Sequence, residues 1–158
     1  AKLIPTRFLF QLAEHEGIVV EWHNFVNIKG IYIYTPSIVA PVIALSNSLR
    51  TRERELRCVF SHELGHHFET AGNHLIATNR TDSIWGTKGE LLATKWAVNF
   101  MINTERFIKC IKNGMDKREI ADYFYVSDDY VDFKGKMLKK SEKYADVVSE
   151  LQANYIVF

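Results

Sequence analysis

The stretch Ser61-His62-Glu63-Leu64-Gly65-His66-His67 decides how the rest of the chain is interpreted. At about 100° per residue, His62 and His66 lie one helical turn apart and only about 40° from each other around the axis. Two imidazoles in that arrangement can each contribute a neutral nitrogen to one divalent ion. Glu63 lies beside this face, where its carboxylate can take a proton from a water held by the metal. The pattern therefore predicts a hydrolytic zinc site.

The same helix has a face for packing. An apolar side chain recurs at every fourth position and would fasten the helix to a core: Leu56, Phe60, Leu64 and Phe68. His67 falls towards this stripe and is predicted to be a core residue. Gly65 costs about 1 kcal/mol relative to Ala inside a helix, which indicates a close approach by another element or by the metal. The pattern also occurs by chance in proteins without metal, but histidines that lie off the apolar stripe favour a metal site.

A catalytic zinc needs a third protein ligand and an open fourth position. Glu90 is the preferred candidate, because it opens the second strong predicted helix and would complete the His, His, Glu set of thermolysin-like enzymes. The alternative for Glu90 is a first-turn glutamate that complements the helix dipole. Glu69 would support the site or face solvent. Tyr32 or His74 could stabilise the oxyanion that forms during hydrolysis. Cys58 is predicted to be a small packed residue, with a thiolate near zinc as its alternative.

The chain around this helix predicts an α+β fold. A first helix over 5–16 ends at Gly17. Short β-branched or aromatic runs over 18–22, 30–34 and 41–45 follow, and their short connections predict a small, mostly antiparallel sheet. The remaining predicted elements are a helix capped by Ser48 or Thr51 that runs to about Glu69, a polar loop over 71–89, a helix over 90–102, and a helix capped by Thr104 that ends at Asn113-Gly114.

Beyond Gly114 the predicted elements become shorter. Two amphipathic segments, 116–123 and 128–139, flank a short turn and have the spacing of a helix-turn-helix. We therefore predict a zinc metallopeptidase core over residues 1–113. A small helical segment with its tail, residues 114–158, is expected to pack on that core.

Composition excludes several classes of protein. The 158 residues are 47% hydrophobic and 25% charged, which is typical of a globular chain, and a net charge of +1 does not indicate nucleic acid. The longest apolar run, 38–45, is far shorter than the roughly 20 residues of a membrane-spanning helix. From the first residues we expect no signal peptide, and two cysteines are too few for a disulfide framework. We expect a cytoplasmic protein that binds no membrane.

Several stretches together resemble the ImmA/IrrE family of zinc metallo-endopeptidases. The resemblance extends from about Leu3 to Lys139, and its specificity comes from the combination and order of the stretches. They are Gly30-Ile31-Tyr32, Val42-Ile43-Ala44-Leu45-Ser46, the histidine stretch, Glu90-Leu91-Leu92-Ala93-Thr94-Lys95-Trp96-Ala97, and Ile120 to Ser127 with Val131. The second helix departs from the family pattern at Thr94 and Trp96, and Asn103 and Thr104 stand where the family has a proline.

The resemblance implies a gluzincin-like fold that holds one zinc ion. Carried over by position, His62, His66 and Glu90 would be the metal ligands and Glu63 the catalytic base. It also implies a peptidase encoded by a phage or mobile element that cleaves a helix-turn-helix repressor and so derepresses transcription.

Three functions follow from these observations. The first is an intracellular zinc endopeptidase acting on a regulatory protein, with an extended substrate paired along the strand over 41–45. The alternative is a non-proteolytic, metal-containing regulatory protein that binds a repressor or other partner, although a pure binder has no need of Glu63. The third is DNA binding by the helices after Gly114. Over 105–150, however, ten basic residues are offset by ten acidic ones, and three aspartates would repel phosphate, so no direct nucleic-acid binding is expected.

Overall fold

The computed structural model describes residues 3–35, 37–70, 76–77 and 85–152. Within these ranges the chain has the predicted α+β character, with a small sheet and seven helices. In chain order the elements are α1 (Thr6–His15), β1 (Val19–His23), β2 (Gly30–Tyr34), β3 (Val42–Ser46), a 3₁₀ helix (Asn47–Thr51), α2 (Glu53–Thr70), β4 (Ile76–Ala77), α3 (Trp85–Met101), α4 (Thr104–Lys112), α5 (Lys117–Phe124), α6 (Asp128–Lys139) and α7 (Ala145–Gln152). None of the helices in the described ranges combines the length and the apolarity that a bilayer crossing requires.

The strand β3 lies inside the sheet, whose order is β1-β3-β2-β4. β2 pairs antiparallel with both β3 and β4, whereas β1 pairs parallel with β3. The parallel pair needs no helical crossover, because the connection from β1 to β3 contains β2, which lies on the other side of β3. Both edges of β3 are occupied, so a substrate cannot add to the strand over 41–45, and that part of the sequence prediction is wrong.

The start of the metal-bearing helix differs from the predicted one. The hydroxyl of Ser46 accepts the backbone N–H of Ser48 and so caps the 3₁₀ helix, and α2 begins only at Glu53. Ser46 has the extended backbone that an N-cap requires, with φ −66° and ψ 135°. Ser48 and Thr51 lie within the 3₁₀ helix, which explains why neither begins α2.

The next two helices also begin differently. α3 begins at Trp85, so part of the predicted loop over 71–89 is helical, and Ile76–Ala77 form β4; the rest of that loop lies outside the described residues. Asn103, with an extended backbone, caps α4 by accepting the N–H of Arg106 at 3.0 Å, in place of the predicted Thr104. The predicted end of α4 is confirmed, since the backbone of Gly114 is left-handed with φ +78°.

The chain divides into two compact units, Ala1–Ala97 and Val98–Phe158. In the first unit the sheet and helices α1 and α2 share a core of fully buried apolar side chains that includes Leu9, Ile43, Leu45, Phe60 and Leu64. The division differs from the predicted boundary at residue 113, because α4 contacts α5 and α7 within the second unit. The assignment of residues 1–113 to peptidase function stays a prediction.

The second unit is a group of short helices with its own core. α5 begins with a reciprocal capping box between Asp116 and Glu119, and α6 has the predicted bounds. Its fully buried residues include Lys134, whose Nζ donates to Asn99 Oδ1 at 2.9 Å and to Thr104 Oγ1 at 2.8 Å. Both acceptors are neutral, so burial lowers the pKa of Lys134 to about 8.

Lys134 should make the stability of the chain depend on pH in the alkaline range. In the unfolded chain its pKa is about 10.4, so between about pH 8 and pH 10 the unfolded state binds more protons and the unfolding free energy rises with pH. From about pH 8 to pH 10, we expect the unfolding free energy of wild type to rise by up to about 3 kcal/mol relative to that of Lys134→Met, which lacks the titrating group. Denaturant titrations at several pH values measure it, and parallel curves would contradict the assignment.

Candidate metal centre

Helices α2 and α3 bring three potential ligands to one place. His62 and His66 follow each other by one turn of α2, with ring centroids 4.8 Å apart and ring planes perpendicular. The carboxylate of Glu90 on α3 lies between them, with Oε2 at 2.8 Å from His62 Nε2 and Oε1 at 3.3 Å from His66 Nε2. The ligand atoms of the three residues all lie within 4.8 Å of one another. This trio is the group that the sequence analysis singled out.

The donor set and its spacing fit a zinc ion. Ligand atoms bound at about 2.0–2.1 Å in a tetrahedral site are about 3.3 Å apart, close to the nitrogen–oxygen separations in this cluster. Two imidazoles and one carboxylate are the protein ligands of a common type of catalytic zinc. His66 is buried, whereas half of the Glu90 side chain is exposed. The cluster is therefore accessible on the Glu90 side, which leaves room for a further ligand.

The two helices can approach this closely because residue 65 is glycine. A Cβ added to Gly65 would clash with the carbonyl oxygen of Ala93 on α3 and lie only 2.9 Å from its carbonyl carbon and Cα. The sequence prediction that Gly65 marks a close approach is thus confirmed, and the approaching element is the backbone of α3. Ala93 is itself fully buried. Small residues on both helices set the distance from which Glu90 can reach the histidines.

The position of Glu90 within α3 bears on its role. Because α3 begins at Trp85, Glu90 is not in the first turn, where a glutamate would interact with the helix dipole. Hydrogen bonds from His62 and His66 hold the pKa of Glu90 well below its ordinary range. Burial opposes protonation of His62, but the hydrogen bond to Glu90 and the charges of Glu63 and Glu90 outweigh it and raise the His62 pKa. Glu90 is thus an anion paired with the imidazoles.

Glu63 lies next to the histidines but under strand β2. A Cβ on Gly30 would lie 3.1 Å from Glu63 Oε1 and 2.6 Å from a methyl carbon of Val59, so only glycine allows β2 to cover the helix here. The backbone N–H of Tyr32 donates to the Glu63 carboxylate. Burial raises the pKa of Glu63, while His66, His62 and the Tyr32 N–H oppose the shift. The carboxylate is desolvated and held in place without being one of the clustered ligands.

Thr94 supports the cluster from one turn beyond Glu90 on α3. Its hydroxyl oxygen lies 3.2 Å from His62 Nδ1, on the opposite side of the ring from the nitrogen that faces Glu90. When Nε2 of a histidine binds a metal, Nδ1 carries the proton and needs an acceptor to fix the ring. Thr94 can provide that acceptor. Its spacing of four residues from Glu90 matches the spacing of the two histidines on α2.

The other candidates from the sequence take different places. Tyr32 is fully buried and its hydroxyl lies 3.0 Å from His67 Nδ1, so that hydroxyl does not face a substrate. Glu69 is exposed, and Cys58 is buried as a small packed residue. His74 lies outside the described residues. Tyr32, Glu69 and Cys58 do not join the metal cluster.

Sequence reasoning missed two supporting residues, Gly30 and Thr94. Gly30 had a usable signal, because a glycine inside a β-branched run indicates a close backbone approach. The role of Thr94 could have been suggested by its position four residues after Glu90, which places both on one face of α3. The pairing of Thr94 with His62 depends on how two helices pack, and no local pattern contains that information.

Replacing Gly65 with alanine should destabilise the protein, although helix propensity alone predicts a gain of about 1 kcal/mol. The added methyl group would force α3 away from α2, and overpacking of this kind costs about 1–3 kcal/mol. We expect a net loss of unfolding free energy and weaker zinc binding, measured by denaturant titration and by competition with a chromophoric chelator. A variant more stable than wild type would show that the Ala93 contact is not limiting.

Replacing Thr94 with valine should weaken zinc binding by about 10- to 100-fold, because His62 loses the acceptor that fixes its ring. Valine keeps the shape of the side chain, so the fold should be retained. Thr94→Ser keeps the hydroxyl and is the matched control, with zinc affinity close to that of wild type. Competition titrations measure both, and equal affinities for the valine and serine variants would contradict the role of the hydroxyl.

Comparison with known proteins identifies the family of the chain. Searches of the curated proteins and of the solved structures found no significant match. The family model Peptidase_M78, described as the IrrE N-terminal-like domain, matches residues 13–134, a span that contains all the residues of the cluster. The expected resemblance is thereby confirmed: the chain belongs to the IrrE N-terminal-like family of metallopeptidases.

Proposed function

We propose that the chain is a zinc-dependent endopeptidase that cleaves a regulatory protein such as a helix-turn-helix repressor. The observation that carries this proposal is the convergence of His62, His66 and Glu90 on one point, with Glu63 beside them. A protein that only used a metal to hold its shape would need a closed set of ligands. Here one ligand is half exposed and a second glutamate, Glu63, adjoins the cluster, which is the composition of a hydrolytic site.

Each residue has one task in this proposal. His62, His66 and Glu90 would hold the ion, which when bound supplies Lewis acidity and a water molecule with a pKa lowered towards neutrality. Glu63 accepts the proton of the attacking water at its carboxylate and passes it to the nitrogen of the leaving amine. The Tyr32 N–H keeps that carboxylate oriented. Burial of Glu63 suits it to the first step, because a raised pKa makes the carboxylate a stronger base, and the leaving amine is basic enough to take the proton afterwards.

An extended peptide could enter along β4. Among the strands that the structure describes, this two-residue strand is at the edge of the sheet, beside β2, with Ile33 opposite Ala77 and Tyr34 opposite Ile76. An unpaired strand edge offers backbone groups to an incoming strand. β2 continues from this pairing to Gly30 and Tyr32, which adjoin Glu63. A substrate strand on the outer edge of β4 would therefore run beside β4, one strand away from β2, which covers the proposed base.

The regulatory substrate and the cytoplasmic location are supported by the family resemblance. The chain also has nearly balanced charge, with a net value of +1, so it has no strong electrostatic attraction to DNA itself. We therefore expect the protein to act on a DNA-binding repressor and not on the DNA. Fragmentation of the repressor, as opposed to its capture, is the property that separates an endopeptidase from a metal-containing binding protein.

Two variants test the proposal together. Glu63→Gln should keep stoichiometric zinc but lose cleavage by at least about 100-fold, because it cannot accept a proton. Glu90→Ala should lose the zinc and, with it, the activity. Zinc content is measured by elemental analysis, and cleavage by mass spectrometry of helix-turn-helix repressors from the same genome after incubation with the purified protein.

The control is Glu14→Gln, which removes an exposed carboxylate from α1, away from the cluster, and should behave like wild type. A chelator should abolish fragmentation in wild type and in this control. If Glu63→Gln cleaves as fast as wild type with zinc bound, Glu63 is not the base. If the repressor is bound in a zinc-dependent way but never fragmented, the protein is a binder and the endopeptidase proposal is wrong.

A further inference from the structure

A row of three polar side chains runs inwards from the surface and joins α1, α2 and β2. The carboxylate of Glu16, at the end of α1, lies 3.3 Å from His67 Nε2 on α2. The other ring nitrogen of His67, Nδ1, lies 3.0 Å from the hydroxyl of Tyr32 on β2. Exposure falls along the row, from partly exposed Glu16 through His67 to fully buried Tyr32. We refer to these three residues as the Glu16–His67–Tyr32 row.

The chemistry of the three groups fixes which group donates and which accepts each hydrogen bond in the row. An ionised carboxylate can only accept, so His67 Nε2 carries the proton and donates to Glu16, which leaves Nδ1 as an acceptor for the Tyr32 hydroxyl. Burial raises the pKa of Tyr32 to about 12, so the hydroxyl remains protonated. Hydrogen bonds from His15 and His67 lower the pKa of Glu16, so the carboxylate remains charged. With a neutral imidazole at His67, each group therefore has a single role in the row.

The inner end of the row reaches the proposed base through the backbone. The residue whose hydroxyl bonds to His67 is also the residue whose N–H donates to the Glu63 carboxylate. His67 and Glu63 are four residues apart on α2, so the helix and strand β2 are joined twice by Tyr32. The first join is the side-chain bond to His67 and the second is the backbone bond to Glu63. Moving the side chain of Tyr32 would move the donor on which the orientation of Glu63 depends.

We propose that the Glu16–His67–Tyr32 row positions the general base by fixing the Tyr32 N–H against the Glu63 carboxylate. This inference rests on the proposed endopeptidase function. The three residues act through another group, so they are positioning residues and do not touch the substrate. Simple fastening of α1, α2 and β2 would not require them, because apolar side chains join such elements without the cost of burying polar groups. A directed hydrogen-bonded row instead specifies one orientation.

Tyr32→Phe is the central variant, because it removes one hydroxyl and keeps the buried ring. We expect kcat to fall about tenfold, with KM and zinc affinity within twofold of wild type, because a misplaced base slows the chemical step and leaves binding intact. Glu16→Gln tests the outer end of the row at a partly exposed position that tolerates substitution. It should lower kcat in the same way, by a smaller factor. A loss that appears only in KM, or no loss in kcat, would overturn the proposal.

His15→Gln provides the matched control. His15 also contacts the Glu16 carboxylate, through its other oxygen at 3.3 Å, but its side chain is largely exposed and connects to no further polar side chain among the described residues. If the row is what matters, this substitution should leave kcat unchanged although it removes a histidine from the same carboxylate. An equal loss of kcat in His15→Gln and Glu16→Gln would show that the charge of Glu16, and not the row, is responsible.

A second measurement needs neither metal nor substrate. Hydrogen exchange of the residue 32 amide, followed by NMR in the metal-free protein, should be about tenfold faster in Tyr32→Phe than in wild type. Exchange of the Ile43 amide on the neighbouring strand β3 should stay unchanged, which separates a local effect from general loosening. Unchanged exchange at residue 32 would overturn the proposal even if kcat fell. If wild type cleaves no peptide, the proposed function fails, but this exchange experiment still decides whether the row holds Tyr32.

Discussion

The contact between Gly65 on α2 and the backbone of Ala93 on α3 is the constraint on which the metal cluster depends. Two of the three proposed ligands are on one helix, and helical geometry alone brings them together. The third ligand comes from another helix, so its distance is set by helix packing. A Cβ at position 65 would clash with the Ala93 backbone and push α3 away, which increases the distance that Glu90 has to span. The glycine at position 65 therefore favours the observed donor set.

Around this contact, charge and burial oppose each other in a way that suits hydrolysis. Glu90 remains an anion because two imidazoles face it, and it is half exposed. Glu63 is buried, so its pKa is raised despite the same imidazoles nearby. Two glutamates within reach of the same histidines thus have pKa values shifted in opposite directions. Environments that separate the pKa values of paired acids in this way are typical of catalytic sites.

The sequence predicted the parts of this site that depend on local periodicity. The spacing of His62 and His66, the apolar stripe behind them, and the short strands were all visible in the pattern. The start of α3 was placed too late, because the sequence ahead of Glu90 is rich in turn-forming residues although its last part is helical. The occupied edges of β3 could not be predicted either, since strand order is set by long-range pairing. The supporting bond from Thr94 likewise depends on packing between two helices.

The two helices have the same internal spacing. On α2 the ligand His62 precedes the contact residue Gly65 by three positions, and on α3 Glu90 precedes Ala93 by three. An insertion or deletion of a single residue within either interval would turn ligand and contact apart by about 100° around the helix axis. Evolution can therefore vary the amino acids inside these intervals, Glu63 apart, but not the length of the intervals. In an alignment of relatives, gaps should be absent from 62–66 and from 90–94 even where sequence identity is low.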